Sequence, residues 1–244
     1  MQKKLRTAQK IFLGILVAAI LLVGAFLLYV SDYYHAAVDL QERAMFSDIR
    51  VLDTNDALIV DPGNTKTALV FYPGGKVDPR AYEMLALRIA QAGIQCIVPK
   101  MPFNLAVFGI NRAERFLASH PEIEHWYVGG HSLGGSMAAS FAAKHADQLK
   151  GLILLASYTT VDISSLPLSV VSITGSNDTV LSWESYEKYK TNLPKGYTDL
   201  VLQGGNHAGF ASYGVQKGDG IATLSAAEQQ AAAAQAIAEF CLTR

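Results

Sequence analysis

The feature that most constrains the fold is Gly130-His131-Ser132-Leu133-Gly134, a G-x-S-x-G motif between two segments of different pattern. The apolar run before it, residues 126–128, predicts a buried strand, and the alanine-rich run after it, residues 137–144, predicts a helix. Between a strand and a helix, this motif holds its serine in a strained turn, and side chains two positions away on either side would collide. Ser132 is therefore the candidate nucleophile, the alternative being an ordinary glycine loop.

Predicted strands and helices alternate from residue 67 onward. Short continuous apolar runs predict the strands, and longer amphipathic or alanine-rich runs predict the helices. The predicted strands are residues 67–72, 94–98, 125–128, 149–156, 168–174 and 197–203, and the predicted helices are residues 80–92, 105–119, 132–145, 183–190 and 226–242. This alternation predicts an α/β fold with a mostly parallel central sheet and helices on both faces. Upstream, residues 48–60 indicate two short strands around a turn at 53–56, and residues 36–46 show helical spacing.

The N-terminal apolar segment determines the domain organisation. Residues 11–30 are an apolar run of about 20 residues, the length of a helix that spans a bilayer. The alternative is a cleaved signal peptide, but its apolar core is usually only ~7–15 residues, and no clear cleavage site follows here. We predict an uncleaved signal anchor in the cell membrane. The predicted segments are a cytoplasmic basic tail (residues 1–10), a single transmembrane helix (11–30), a juxtamembrane segment (31–47) and an extracytoplasmic domain (48–244).

Charge supports this orientation and argues against nucleic acid as a partner. Lys3, Lys4, Arg6 and Lys10 precede the apolar run without an acidic residue among them, which favours a cytoplasmic N-terminus. The rest of the chain has 16 basic and 21 acidic residues and therefore carries a charge of about −5. A mildly acidic body without a basic cluster does not fit a nucleic-acid-binding surface. No group of His, Cys and acidic residues has the spacing of metal ligands, so we expect no metal site.

A serine nucleophile needs a base, and the base needs an acid that orients it. Of six histidines, only His207 directly follows a late predicted strand, where parallel sheets build their sites. Asp178 lies on the loop after the preceding strand and could accept a hydrogen bond from the His207 ring. The alternatives are a surface loop histidine and an aspartate that forms an Asx-turn or caps the helix at 183–190. Asp162 and Asp199 are weaker candidates for the acid, because one precedes a strand and the other lies inside one.

Two backbone amides are candidates for binding the oxyanion. The amide of Leu133 follows the serine at the N-terminus of a helix, and the amide of Gly75 lies in the glycine turn after the strand at 67–72. The alternative for Gly75 is a plain glycine turn. Candidate rim residues, by their position at the strand ends, are Lys76, Asn104, Phe108, Tyr158 and the loop 209–220.

The segments YPGG, GGHSLGG, GSNDTV and GGNHAGF follow each other in the order typical of one superfamily. The chain from residue 67 on resembles the α/β-hydrolases, in particular the small dienelactone-hydrolase-like and esterase group. The resemblance implies a Ser132–Asp178–His207 triad, a covalent acyl-enzyme and hydrolysis without a cofactor. Dienelactone hydrolases proper use cysteine where this chain has Ser132, which weakens the expectation of lactone specificity. Only residues 157–167 occupy the place where many relatives insert a lid, so we expect an open site.

The leading hypothesis is a membrane-anchored serine hydrolase that acts on a small-molecule carboxylic ester or a related acyl group. An acyltransferase or a peptidase could use the same triad, and a non-catalytic binding domain is a third possibility. Cys96 is predicted in a buried strand and Cys241 in the last helix. Buried thiols are the expected state, although an extracytoplasmic location would also permit a disulfide.

Overall fold

A computed structural model describes residues 2–243, with side chains from residue 9 on. The chain forms two compact units, the first ending at Tyr33 and the second beginning at Tyr34. The first unit is one helix, α1 (Gln2–Ser31). Residues 9–31 of this helix contain an 18-residue window with a mean hydropathy of 3.0, so the helix is long and apolar enough to span a membrane, a test that a signal sequence also passes. Residue 1 and the side chains of residues 2–8, in the predicted basic tail, lie outside the described part, as does residue 244.

The second unit is built on an eight-stranded sheet. Its strands are β1 (Arg50–Asp53), β2 (Ala57–Asp61), β3 (Thr67–Tyr72), β4 (Gln95–Pro99), β5 (His125–His131), β6 (Gly151–Leu155), β7 (Ser169–Gly175) and β8 (Thr198–Leu202), in the spatial order β1-β2-β4-β3-β5-β6-β7-β8. The pairs β1–β2 and β2–β4 are antiparallel, whereas the other five pairs are parallel. The predicted α/β class with a mostly parallel sheet is confirmed.

The central strands are buried because helices cover both faces of the sheet, and their apolar runs are continuous for that reason. The helices of the second unit are α2 (Leu40–Ala44), α3 (Glu83–Gln91), α4 (Arg112–Ser119), α5 (Leu133–Ala142), α6 (Trp183–Tyr189) and α7 (Ala226–Leu242). Helices α3 and α7 pack on one face with Phe71 and Tyr82 in that core. Helices α4 and α5 pack on the other face, around Phe116 and Phe141.

Local chemistry explains where several elements begin and end. Ser225 and Glu228 form a capping box at the start of α7, which satisfies amides that have no partner inside the helix. The predicted helix at residues 105–119 is wrong in its first half. A 3-10 turn, Ala106–Phe108, ends at Gly109, and α4 begins three residues later. Within residues 36–46, only α2 is helical, and Asp39 caps it.

A short extended segment, residues 34–37, ties the start of the second unit to two loops at the carboxyl edge of the sheet. We call this segment the strap. The Tyr34 N–H donates to Lys76 O at 2.8 Å, and the Asp78 N–H donates to Tyr34 O at 2.9 Å. The Ala37 N–H donates to Ser212 O at 2.7 Å. The strap thus connects the loop after β3 with the loop after β8.

Candidate active site

Ser132 occupies a sharp turn between β5 and α5. Its backbone has φ 53° and ψ −124°, a strained conformation for a residue with a Cβ atom. The Ser132 N–H donates to Leu155 O at 2.9 Å, and Ser132 O accepts a hydrogen bond from Ser157 Oγ at 2.7 Å. These bonds attach the turn to the end of β6 and to the segment that follows it. A Cβ atom at Gly134 would lie 2.2 Å from Tyr72 O, so the glycine is required sterically.

Asp178 and His207 form a buried hydrogen-bonded pair on the loops after β7 and β8. The His207 Nδ1–H donates to Asp178 Oδ2 at 2.8 Å, and both residues are only 2% exposed. The other carboxylate oxygen, Oδ1, accepts the amides of Val180 and Leu181, both at 2.8 Å. Ser182 caps helix α6, so the N-cap alternative for Asp178 is wrong, whereas the bond from the Val180 amide forms the Asx-turn of the other alternative. The structure therefore brings together Asp178 and His207, the candidate acid and the candidate base.

The two weaker candidates for the acid lie elsewhere. Asp162 is exposed and accepts the Ser164 amide at 2.9 Å. Asp199 accepts a hydrogen bond from Tyr186 Oη at 2.6 Å and pairs with Lys190 at 2.9 Å. Neither carboxylate contacts His207 among the hydrogen bonds of the described residues.

Sequence reasoning missed two side chains that hold the His207 loop. Asp219 accepts the amides of His207 and Ala208 at 3.3 and 2.8 Å, whereas the sequence placed this residue only in the candidate rim loop 209–220. Gln229, fully buried on α7, accepts the Asn206 N–H at 2.9 Å and donates to Asn206 O at 2.7 Å. The one available signal was a glutamine on the buried face of an alanine-rich helix.

Ser132 and His207 line the same cavity, which has a volume of about 280 Å³. Its other walls are Leu133, Ser136, Ala156, Ser157, Tyr158, Val180, Leu181 and Ser182. Tyr158, a predicted rim residue, is held by stacking on Tyr189, with ring centroids 5.5 Å apart. Lys76, Asn104, Phe108 and the loop 209–220 are not among the walls of this cavity.

The loop after β3 leaves one backbone amide without an acceptor among the described residues. The Gly74 N–H donates to Tyr82 Oη at 2.9 Å, and the Lys76 N–H donates to Asn104 O at 2.8 Å. Between them, the Gly75 N–H donates to no acceptor in the described part of the chain. A Cβ atom at Gly75 would lie 3.1 Å from Leu133 Cδ2, so the two predicted oxyanion residues are neighbours. The amide of Leu133 lies in the first turn of α5, where helix amides have no partner within the helix.

His131, directly before Ser132, is buried and belongs to a polar chain that the sequence did not reveal. Its Nδ1 lies 2.8 Å from Tyr82 Oη, and its ring centroid is 4.6 Å from that of His207. Burial, together with the charge of His207, lowers the pKa of His131 well below its ordinary value. Burial raises the pKa of Tyr82. Both side chains are therefore neutral, with the tyrosine hydroxyl donating to Nδ1.

The described residues contain no group of three or more His, Cys, Asp or Glu side chains arranged to hold a metal ion. Cys96 and Cys241 are free and buried, as the sequence predicted for the default case. Burial raises the pKa of Cys96 to about 12, so its thiol is protonated and unreactive near neutral pH.

Sequence and fold together identify the class of protein. Residues 68–231 match the alpha/beta hydrolase family, and the chain belongs to that family of hydrolases. No curated protein sequence matches it.

Solved structures that share the fold are distant in sequence. Est1E from Butyrivibrio proteoclasticus has 13% identity and a TM-score of 0.59, and the match covers 80% of this chain and 98% of Est1E. A dienelactone hydrolase from Anabaena variabilis has 12% identity and a TM-score of 0.58, with the same coverage of both chains. A predicted CIB-like hydrolase from Thermoplasma acidophilum has 14% identity and a TM-score of 0.56, again with 80% and 98% covered.

Proposed function

We propose that this protein is a serine hydrolase that cleaves carboxylic esters through Ser132, His207 and Asp178. The observation that carries the proposal is the buried 2.8 Å hydrogen bond between Asp178 and His207, on the cavity that Ser132 also lines. An aspartate bonded to Nδ1 fixes the tautomer of the histidine and leaves Nε2 as the acceptor for a serine proton. A buried pair of this kind beside a strained serine is the arrangement that nucleophilic catalysis requires.

In the proposed reaction, Ser132 Oγ attacks the ester carbonyl carbon while His207 Nε2 takes the hydroxyl proton. The amides of Gly75 and Leu133 stabilise the negative charge that develops on the carbonyl oxygen. His207 then donates its proton to the leaving alcohol, and the acyl group remains on Ser132. Water then attacks the acyl-enzyme while His207 takes its proton. As the bond between the acyl carbon and Ser132 Oγ breaks, His207 returns that proton to Oγ, and the carboxylic acid leaves.

The size of the cavity supports a small acyl group. Its 280 Å³ lies just below the range of ~300–1,000 Å³ that is typical of small-molecule sites. Leu133, Val180 and Leu181 give it apolar walls suited to a short alkyl or aryl chain. We expect the alcohol portion of the ester to remain largely outside the cavity.

We further propose that α1 is an uncleaved anchor with the basic end in the cytoplasm, which places the hydrolase domain outside the cytoplasm at the cell membrane. The support is the 18-residue window with a mean hydropathy of 3.0 within residues 9–31, and the basic residues that precede the apolar run. Fractionation should find a tagged protein in membranes, and external protease should digest the C-terminal domain of intact spheroplasts. A mature N-terminus that begins after residue 31 would contradict the anchor and support signal cleavage.

A fluorophosphonate probe tests the nucleophile on the full-length protein. We expect labelling of the wild type and its loss in Ser132→Ala, with Ser136→Ala, which changes a neighbouring serine of the cavity, still labelled at Ser132. Hydrolysis of p-nitrophenyl acetate, butyrate and laurate should then decrease with chain length. A folded wild type without Ser132-dependent labelling or turnover would refute the hydrolase proposal and support a binding domain. Preferential transfer to an added alcohol or amine would instead indicate an acyltransferase, and cleavage of amides a peptidase.

A further inference from the structure

Tyr82 connects the two segments that carry the reacting atoms in the proposed mechanism. It ends a 3-10 turn, Pro79–Tyr82, and is fully buried. Its hydroxyl oxygen accepts the Gly74 N–H at 2.9 Å and lies 2.8 Å from His131 Nδ1. Gly74 directly precedes Gly75, and His131 directly precedes Ser132. One hydroxyl group therefore bridges the loop that carries Gly75 and the turn that carries Ser132.

The direction of both hydrogen bonds follows from the donors available. A backbone N–H can only donate, so Tyr82 Oη accepts from Gly74 and still has its own proton to give. His131 Nδ1 is the acceptor within reach, and the remaining proton of the neutral ring is on Nε2. The chain thus runs from the Gly74 N–H through the Tyr82 hydroxyl to His131 Nδ1. The loss of either side chain would leave a buried polar group without its partner.

The packing around this chain leaves little freedom. A Cβ atom at Gly74 would lie 2.9 Å from Tyr82 Oη and 3.0 Å from His131 Nδ1, so the backbone passes directly over the hydrogen bond. His131 packs between His207, at 4.6 Å between ring centroids, and Phe210, at 5.8 Å. Neither Tyr82 nor His131 lines the cavity beside Ser132. Their effect on a reaction there must be indirect.

We propose that Tyr82 and His131 are positioning residues that hold the Gly75 amide in line with Ser132, an inference that rests on the proposed function. By accepting the Gly74 N–H, Tyr82 keeps that group in place and leaves the next amide, that of Gly75, available to the oxyanion. By accepting from Tyr82, His131 ties this arrangement to the end of β5, directly before Ser132. The pair sets the distance between nucleophile and oxyanion donor.

Tyr82→Phe removes the bridging oxygen and changes little else. Losing one oxyanion donor outright typically costs ~10²–10³ in kcat, so a displaced donor should cost about 10- to 100-fold. Because the acyl cavity is untouched, KM should stay within about twofold. The affinity for an alkyl boronic acid, whose tetrahedral serine adduct places an oxygen at the oxyanion position, should fall by the same factor as kcat/KM. A loss of general stability alone would not lower the boronic-acid affinity and kcat/KM by the same factor.

Two further variants keep the test decisive if Tyr82→Phe does not fold. His131→Asn retains an acceptor near the position of Nδ1 and should keep kcat within about threefold, whereas His131→Leu removes it and should lose about 10- to 100-fold. Tyr127→Phe is the matched control, because it deletes the hydroxyl of another fully buried tyrosine. Tyr127 lies on β5, as His131 does, and its hydroxyl donates to Cys241 O at 3.0 Å. It should lower stability without changing kcat.

The results separate this inference from the proposed function. If the wild type shows no Ser132-dependent turnover, the proposed function itself is wrong. If the wild type is active but folded Tyr82→Phe keeps its kcat and boronic-acid affinity, the positioning inference alone is overturned. Equal losses in His131→Asn and His131→Leu would overturn it as well, because the hydrogen bond to Tyr82 would then not matter.

Discussion

Replacing Asp178 by asparagine tests the proposed mechanism at its most buried contact. In the wild type, Asp178 Oδ1 accepts the amides of Val180 and Leu181, both at 2.8 Å, and Oδ2 accepts the His207 Nδ1–H. Those two amides require an oxygen, so an asparagine must place its Oδ1 there and its NH₂ group against His207. An NH₂ group needs an acceptor, which forces His207 Nδ1 to lose its proton and Nε2 to carry one. Nε2 can then no longer accept the proton of Ser132.

The magnitude follows from this change of tautomer. The equivalent substitution in a serine-protease triad lowers kcat by about 10⁴, which is about 5 kcal/mol in transition-state free energy. We expect a similar loss for Asp178→Asn in steady-state hydrolysis of p-nitrophenyl acetate, with KM changed by less than about threefold. Circular dichroism should show a native fold, because Asn retains the two amide hydrogen bonds.

Asp162→Asn and Asp199→Asn are the matched controls, since each neutralises one of the weaker candidates for the acid. Both should keep wild-type kcat within about twofold. An Asp178→Asn enzyme within about tenfold of the wild type would show that this carboxylate does not set the tautomer of His207. The reasoning would also fail if Asp162→Asn or Asp199→Asn produced the larger loss.

Three further predictions concern stability and reactivity. The lowered pKa of His131 means that the unfolded chain binds a proton below about pH 6.5 that the folded protein does not. As the pH falls below 6.5, the free energy of unfolding of the wild type, measured in urea, should therefore decrease by up to about 1.4 kcal/mol per pH unit relative to that of His131→Asn. Parallel pH profiles of the two proteins would contradict this. In Gly134→Ala, the new Cβ would lie 2.2 Å from Tyr72 O, so the free energy of unfolding should fall by several kcal/mol or the protein should not fold. In Gly63→Ala, the backbone has φ 96° but no atom lies within 4 Å of the new Cβ, so the free energy of unfolding should fall by only about 1–2 kcal/mol. Equal unfolding midpoints for the two variants would contradict the steric argument. Because Cys96 and Cys241 are buried and free, a thiol reagent should modify them only on unfolding, and fast modification of the native protein would contradict their burial.

The sequence predicted most of the sheet because buried parallel strands leave continuous apolar runs. β3 coincides with its predicted residues, and the other five strands of the predicted alternation differ by a few residues at their ends. The antiparallel β1–β2 pair was also predicted from the turn at residues 53–56. The sequence did not indicate that β2 would lie beside β4, since that pairing depends on long-range contacts. Gly109, which separates a 3-10 turn from α4, was hidden inside a helical pattern.

The residues of the candidate site also fall into two groups, those that the sequence could identify and those that it could not. Ser132, Asp178 and His207 could be selected because each follows a predicted strand, and the carboxyl ends of parallel strands share one edge of the sheet. Tyr82, Asp219 and Gln229 could not, because their roles depend on partners far along the chain. Tyr82 is 49 residues from His131, and Gln229 is 23 residues from Asn206. No periodicity or local motif encodes such contacts.

The strap at residues 34–37 has a practical consequence for anyone who shortens this protein. A chain that starts at residue 32 loses the apolar helix but keeps the hydrogen bonds of Tyr34 with Lys76 and Asp78. A chain that starts at residue 48, where the sequence places the domain boundary, also loses the clamp on the loop that carries Gly75. The second truncated protein should be soluble but have a lower kcat in the proposed ester hydrolysis than the first, although both retain the entire sheet.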